Sequence, residues 1–457
     1  MIPARTFSFV LLVAALALMD CSGAGGSVPA MQARPATSSV HSSHRRAPTG
    51  PIAHIVLLIQ ENRSFDNLFA TFPGADGTTT GTLHTGKVIP LKAHSLKSLD
   101  VSHTYATYLT DYDGGKMDGF DRSTFLHEST IVHRYPYQYV KPKQIQAYWT
   151  LAEQYALADQ MFQTQGSGSF TAHQDLIAGG TVINSKQSLV DTPSGSPWGC
   201  DAPPSTLTTV LTTSGRYLRN KGPFPCLTYP TGTMRDLLDA KAVSWKYYSP
   251  VYKVGAVGAL WNAFAAIQAV REGPEWTTNV SIPQTNIFND ITNNQLPAVS
   301  WVIPDNADSD HPQDNLGADD GPSWIAQVVN AIGTSSYWDS TAIVIVWDDW
   351  GGFYDHVPPP FLDDAGGLGF RVPMIVVSPY VPAGTISHTQ YEYGSILKFI
   401  EERFELGSLG TTDVRATSIG NIFDFDQSPR TFVPIPAQRP RAYFLHERPS
   451  LQPVDTE

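Results

Sequence analysis

The stretches HIVLLIQ at 54–60 and TAIVIVW at 341–347 are almost wholly apolar, and each runs directly into two oxygen-bearing side chains, Glu61-Asn62 and Asp348-Asp349. Runs of this length, rich in Val and Ile, read as strands buried on both faces, as in a parallel sheet covered by helices. Successive side chains of a strand point to opposite faces, so two neighbours reach one ligand only where the chain has left the pleat. In open α/β sheets that place, the carboxyl end of the strands, is where chemistry collects. The two pairs together predict a divalent cation held by hard oxygen ligands, a suitable partner for a phosphate or sulfate ester. Either pair alone reads equally well as an acidic loop cap, because Asp and Asn are ordinary turn residues.

Outward from these runs, 299–304 (VSWVIP) and 372–378 (VPMIVVS) read as further strands, and 146–160, 323–332 and 391–405 carry helical patterns. The alternation predicts an α/β fold with a mostly parallel central sheet flanked by helices. Between about 185 and 240 the chain is rich in Pro, Thr, Ser and Gly, which predicts a long excursion over the active face instead of core. At 457 residues the chain exceeds a typical domain, yet large α/β enzymes with long loops stay in one body. One catalytic domain over 51–425 is expected, with a Pro-rich tail, 426–457, packing on the surface. Internal repeats and heptads are absent from the sequence.

A net charge of −12 with only 16% charged residues disfavours a binder of nucleic acid backbones. The start, with Arg5, an apolar run from Phe7 to Met19 and then small residues, has the layout of a secretory signal over 1–21. Residues 22–50 read as a flexible tether. A secreted or periplasmic protein follows, with Cys21 as a possible acylation site and hence a lipid-anchored or peripheral contact with a membrane. Cys200 and Cys226 are a possible disulfide in an oxidising compartment or two separate thiols.

Ser169 stands just before a helix-like stretch in TQGSGSFTAHQDLIAGG (164–180), where a hydroxyl caps the free amides of the helix start. The same amides and the positive end of the helix dipole would receive a phosphoryl group, and a metal beside Ser169 would favour its alkoxide as nucleophile. No Gly-x-Ser-x-Gly elbow surrounds it, which disfavours acyl-ester hydrolysis. His103, His311 and His356 each have an acid nearby that would orient an imidazole for phosphoryl binding or proton delivery. His103 and His311 rank first, His356 reads as part of a structural turn, and His173 as support for the helix bearing Ser169. DYDGGKMDGFDRS (111–123) has Arg122 where a calcium-binding EF-hand needs a bidentate Glu, so it reads as an active-site loop.

Taken in order, HIVLLIQENRSFDNLF, SHTY with KMDGF, GSGSFTAHQDLIAG, WVIPDNADSDHP, VIVWDDWGGFYDHVPPP and VPMIVVSPYV with SILKFIEERF resemble the bacterial phosphoesterase family of phospholipase C and acid phosphatase enzymes. The resemblance implies an alkaline phosphatase-like three-layer sandwich with long active-face loops. It implies one divalent metal surrounded by Glu61, Asn62, Ser169, Asp348 and Asp349, with Ser169 as nucleophile and His103 and His311 against the phosphoryl or leaving group. Many relatives carry Gly-Pro before the nucleophile, where this chain has Gly166-Ser167-Gly168-Ser169, so Ser167 is a rival nucleophile. Many also carry Asp-Glu where this chain has Asp348-Asp349. The expected substrate is a phosphate ester, a phospholipid headgroup among the possibilities, cleaved as a diester or, in the alternative, as a monoester. A non-catalytic envelope protein that binds metal or headgroups is the rival from another class. A sulfatase is disfavoured, because no Cys or Ser lies in the x-Pro-x-Arg context that formylglycine maturation needs.

Overall fold

Both deciding runs are strands, and they lie side by side. The central sheet has eight strands among the described residues: β1 (His54–Gln60), β2 (Ala156–Ala158), β3 (Trp245–Tyr248), β4 (Val280–Ser281), β5 (Val299–Val302), β6 (Thr341–Trp347), β7 (Met374–Val377) and β8 (Thr385–Ser387). Their order is β4-β3-β5-β1-β6-β7-β2-β8, parallel except that β7 runs against both neighbours. Strand β1 pairs in parallel with β6 from His54↔Thr341 to Gln60↔Trp347, so Glu61 and Asp348 leave the sheet level with each other. The computed structural model describes residues 50–253, 258, 260–313, 320–360 and 367–450. The signal expected over 1–21, Cys21 and the tether up to residue 49 lie outside them.

Ile55, Val56, Leu57, Leu58 and Ile59 are all buried, at no more than 1% exposure, and each such side chain contributes about 2 kcal/mol through removal from water. Six helices matter for the site: α1 (Phe65–Phe69), α2 (Tyr105–Tyr112), α3 (Gln146–Gln154), α4 (Ser169–Ala178), α5 (Gly321–Gly333) and α6 (Tyr393–Phe404). Trp301 on β5 donates to the Leu176 carbonyl of α4, and its register partner Leu57 faces the same way, as does Val344 opposite Leu57. Trp347, three residues on, points to the other face and meets Tyr148 of α3 edge to face. Helices α3 and α4 therefore cover opposite faces, α3 packed with α5 and α4 with α6. This is the three-layer α/β arrangement expected from the sequence.

Two expectations need correction. The helix expected to reach residue 160 ends at Gln154; Tyr155 leaves helical geometry, and the buried Ala156–Ala158 becomes β2. The excursion at 185–240 also carries its own apolar layer. Val182–Asn184, Gln187–Val190, Thr209–Thr212 and Tyr217–Leu218 form a four-stranded antiparallel sheet that buries Leu189, Val190, Val210 and Leu211. Its strands, two to four residues long, alternate too briefly to register as a pattern in the sequence. Cys200 and Cys226 are joined as a disulfide.

Candidate active site

Asn62 sits one residue beyond Glu61 with φ +59°, in the left-handed region that Asn tolerates better than most side chains. That turn is how Glu61 and Asn62 reach the same side. The matching turn after β6 uses Gly351 at φ +61°, where an added Cβ would meet the Asn62 carbonyl oxygen at 2.2 Å. Only glycine fits there, and the backbone amide of Gly351 donates to Asp349 Oδ1 at 2.7 Å. The Asn62 amide in turn donates to Asp348 Oδ1 at 2.8 Å, tying the two strand ends together.

The predicted residues converge, in two groups. Ser169 begins α4, and its hydroxyl donates to Asp349 Oδ2 at 3.1 Å. Asn62 Nδ2 lies 3.3 Å from the same Asp349 oxygen, 3.5 Å from Ser169 Oγ and 2.7 Å from His103 Nε2. His103 Nδ1 is 2.7 Å from the Val101 carbonyl, so it carries the proton and leaves Nε2 to accept from Asn62. Ser167 Oγ is engaged elsewhere, accepting from the Asp191 amide at 2.7 Å. The second group is Glu61, His173 and Asp348, all buried, with one ligand atom from each within 4.8 Å of the others. His173 Nε2 lies 3.1 Å from Glu61 Oε1 and 3.8 Å from Asp348 Oδ2.

His173 therefore does more than support its helix. Burial drives its pKa down to about 4, against the pull of Asp348, so the imidazole is neutral and fit to be a ligand. Its signal in the sequence was its spacing from Ser169, four residues along one helix face. Two buried oxygens of the site, Asn62 Oδ1 and Asp348 Oδ2, have no hydrogen-bond partner among the described residues. Such oxygens are costly unless a cation or donor meets them, so the donor set fits a divalent ion.

His311 stands one step further out. Its Nδ1 lies 4.0 Å from Asp100 Oδ2, and Asp100 Oδ1 is 3.9 Å from His103 Nδ1, so one carboxylate faces both imidazoles. Trp261 packs against the rings of His173 and His311, with centroids at 6.4 and 5.6 Å. Sequence reasoning passed over Arg63. Fully buried, it donates to the carbonyls of Asp310 and Leu96 and to Ser98, fixing the backbone beside His311. Burial lowers its pKa to about 10 even with Asp310 opposing, which still leaves it charged at neutral pH. In the loop at 111–123, Asp111 accepts from Ser123 and Trp350, a structural tie beneath His103, whose ring meets Trp350 edge to face at 6.0 Å.

His356 belongs to a separate cluster with Asp66 and Asp355, closed by the buried Arg371. Among the described residues no helix is long and apolar enough to cross a membrane.

The family model for the phosphoesterase family matches residues 52–407. The chain belongs to that family. Members similar to it include phospholipase C B of Mycobacterium tuberculosis, 25% identical over 88% of this chain and 83% of the relative. Non-hemolytic phospholipase C of Burkholderia pseudomallei is 27% identical over 80% of this chain and 57% of its own length. Among solved structures, a protein in the alkaline phosphatase superfamily from Vibrio parahaemolyticus aligns over 82% of this chain and 75% of its own, with 9% identity and a TM-score of 0.35. A family of phosphoesterases makes this chain a hydrolase of phosphate esters.

Proposed function

We propose that the chain cleaves phosphodiesters in the manner of a phospholipase C, with Ser169 as the nucleophile. The observation that carries this is the position of the Ser169 hydroxyl: first residue of α4, bonded to Asp349, beside Asn62 and next to the trio Glu61, His173 and Asp348. The free amides of the helix start and its dipole favour an anion there. The phospholipase C names of the relatives support the diester reading.

Glu61, His173 and Asp348, with Asn62, are the residues that would hold one divalent ion. Bound there, the ion supplies Lewis acidity, favouring the Ser169 alkoxide and offsetting negative charge on the phosphoryl oxygens. Asp349 Oδ2 accepts from the Ser169 hydroxyl, so Oγ is aimed before substrate arrives. The Ser169 proton passes to Asp349 Oδ2 as Oγ bonds to phosphorus and the bond from phosphorus to the departing alcohol oxygen breaks, and that oxygen takes up a proton from solvent. Asn62 Nδ2 and the α4 amides donate to the phosphoryl oxygens, while His103, oriented by the Val101 carbonyl, faces the reacting group. Water cleaves the resulting phosphoserine and regenerates Ser169.

The test is hydrolysis of 4-nitrophenyl phosphorylcholine and 4-nitrophenyl phosphate by wild type and Ser169→Ala. The variant should fold normally and lose turnover by at least about 10⁴-fold. A folded variant that keeps its activity would remove Ser169 from the reaction, and a preference for the monoester would make the enzyme a phosphatase.

A further inference from the structure

A cavity of about 440 Å³ lies beside the candidate active site, and none of the residues assigned to the chemistry lines it. Two bonds fix its position. Thr104 follows His103 directly and caps α2, accepting from the Thr107 amide at 3.1 Å. Asp191, also in the lining, donates its amide to Ser167, two residues before Ser169, and its Oδ1 accepts from the Tyr105 amide at 2.7 Å. Adjacent Cα atoms are only ~3.8 Å apart, so the cavity wall starts one residue from His103.

The backbone of the lining is unusual. His127, Asp191 and Asn220 all line the cavity and all hold positive φ, at 57°, 58° and 51°. Side-chain-bearing residues rarely adopt that conformation, and its convergence on one cavity is typical of ligand clamps.

The chemistry of the walls selects among alcohols. Thr104, Thr192 and Ser194 carry hydroxyls and Asn220 an amide; the Thr104 and Ser194 hydroxyls already accept from the Thr107 and Leu207 amides and keep their own protons to donate. Arg219 is exposed at the cavity and is committed to no hydrogen bond or ion pair among the described residues, leaving its fork of donors for a ligand. Among the described residues Tyr217 is the one Phe, Tyr or Trp in the lining, and its ring stacks on Tyr105 at 5.8 Å. A quaternary ammonium needs aromatic faces turned towards it, which this cavity does not offer. Asp191 is tied through Oδ1 to the Tyr105 amide and through Oδ2 to the Tyr217 hydroxyl at 2.6 Å, and the Arg219 cation that interacts with it repels a second one.

We propose that this cavity holds the alcohol retained on phosphorus during diester cleavage, and that this alcohol is a polyol. The inference rests on the phosphodiesterase reading above and adds the substrate class to it. Three substrates with the same leaving group test it: 4-nitrophenyl phosphate, 4-nitrophenyl phosphorylcholine and 4-nitrophenyl myo-inositol phosphate. The wild type should favour the inositol diester over the choline diester in kcat/KM by about 10-fold or more. Ala106→Trp, which fills the exposed side of the cavity, and Arg219→Ala should each erase that preference while leaving the monoester within about 2-fold of wild type. Turnover of the choline diester at or above the inositol rate overturns the polyol assignment alone. So does an equal fall of all three substrates in both variants. Failure of wild type to turn over any of the three overturns the phosphoesterase site and the cavity assignment together.

Discussion

Two buried acid-histidine clusters descend from the same two strand ends, and they balance their charge in opposite ways. Beyond Glu61-Asn62 the chain supplies Asp66, and beyond Asp348-Asp349 it supplies Asp355 and His356. In that outer cluster Arg371, itself buried, donates from Nε and Nη2 to Asp355 at 2.9 and 3.2 Å and lies 3.5 Å from Asp66. The remaining guanidinium nitrogen, Nη1, meets the carbonyls of Asp76 and Asp159. In the inner cluster the partners seen around Glu61, Asp348 and Asp349 are His173, His103, Asn62 and Ser169, and Asp348 Oδ2 has no hydrogen-bond partner among the described residues. A fixed guanidinium makes the outer acids a structural tie. The inner acids are assembled around imidazole, amide and hydroxyl groups instead, a donor set that fits a cation.

The contrast breaks most visibly on the inner side. Asp348→Asn should lower turnover about 10³-fold, which corresponds to about 4 kcal/mol of transition-state stabilisation. The fold should survive, because one buried negative charge has been removed. Steady-state kinetics with added divalent metal, alongside thermal melting, measures both. A melting temperature that collapses together with activity would make Asp348 a structural acid, like those of the outer cluster.

Arg371→Met should do the reverse. It leaves Asp355 and Asp66 buried without their counter-charge, a loss of about 3–5 kcal/mol in folding stability. Chemical denaturation reads this directly, and kcat at a temperature where the variant is folded should change little. A loss under about 1 kcal/mol would mean that the outer acids take up a proton or an ion as readily as the inner ones.

The pairing of the inner residues was legible in the sequence because two features coincide. Apolar runs announce buried strands, and oxygen ligands directly after them announce strand ends. What the runs could not announce was register: Gln60↔Trp347 makes the two ends level, and that depends on tertiary pairing. His173 was harder to read. A histidine within a helix has many structural uses, and its role follows only from the packing of α4, which carries Nε2 to Glu61. Arg63 and Arg371 look alike as isolated cations in the sequence, yet one braces the His311 backbone and the other neutralises acids. Short strands such as β2, β4 and β8, each two or three residues long, carry too little pattern to be seen before their neighbours are placed.

Gly351→Ala asks how closely the inner cluster depends on its backbone. The new Cβ meets the Asn62 carbonyl and the φ of +61° is strained for alanine, at a cost of about 1–3 kcal/mol. Asn62 and Asp349 should move apart, lowering kcat more than it raises KM. Equal effects on every kinetic parameter and on stability would mean that the turn merely holds the fold.

The smallest effect is a pH dependence confined to the outer cluster. Burial alone would lower the pKa of His356, but its hydrogen bond to Asp66 and the charges of Asp66 and Asp355 outweigh that and raise it above the ordinary value. A histidine whose folded pKa is raised adds stability that is complete below its unfolded pKa of about 6.5 and is lost as pH climbs through the folded value. Wild type should therefore exceed His356→Gln in stability most at mildly acidic pH, with the gap closing as the solution becomes alkaline. Denaturation of both proteins across that range measures it. A gap that widens with pH would mean that His356 is held neutral, and the outer acids would then depend on Arg371 alone for their charge balance.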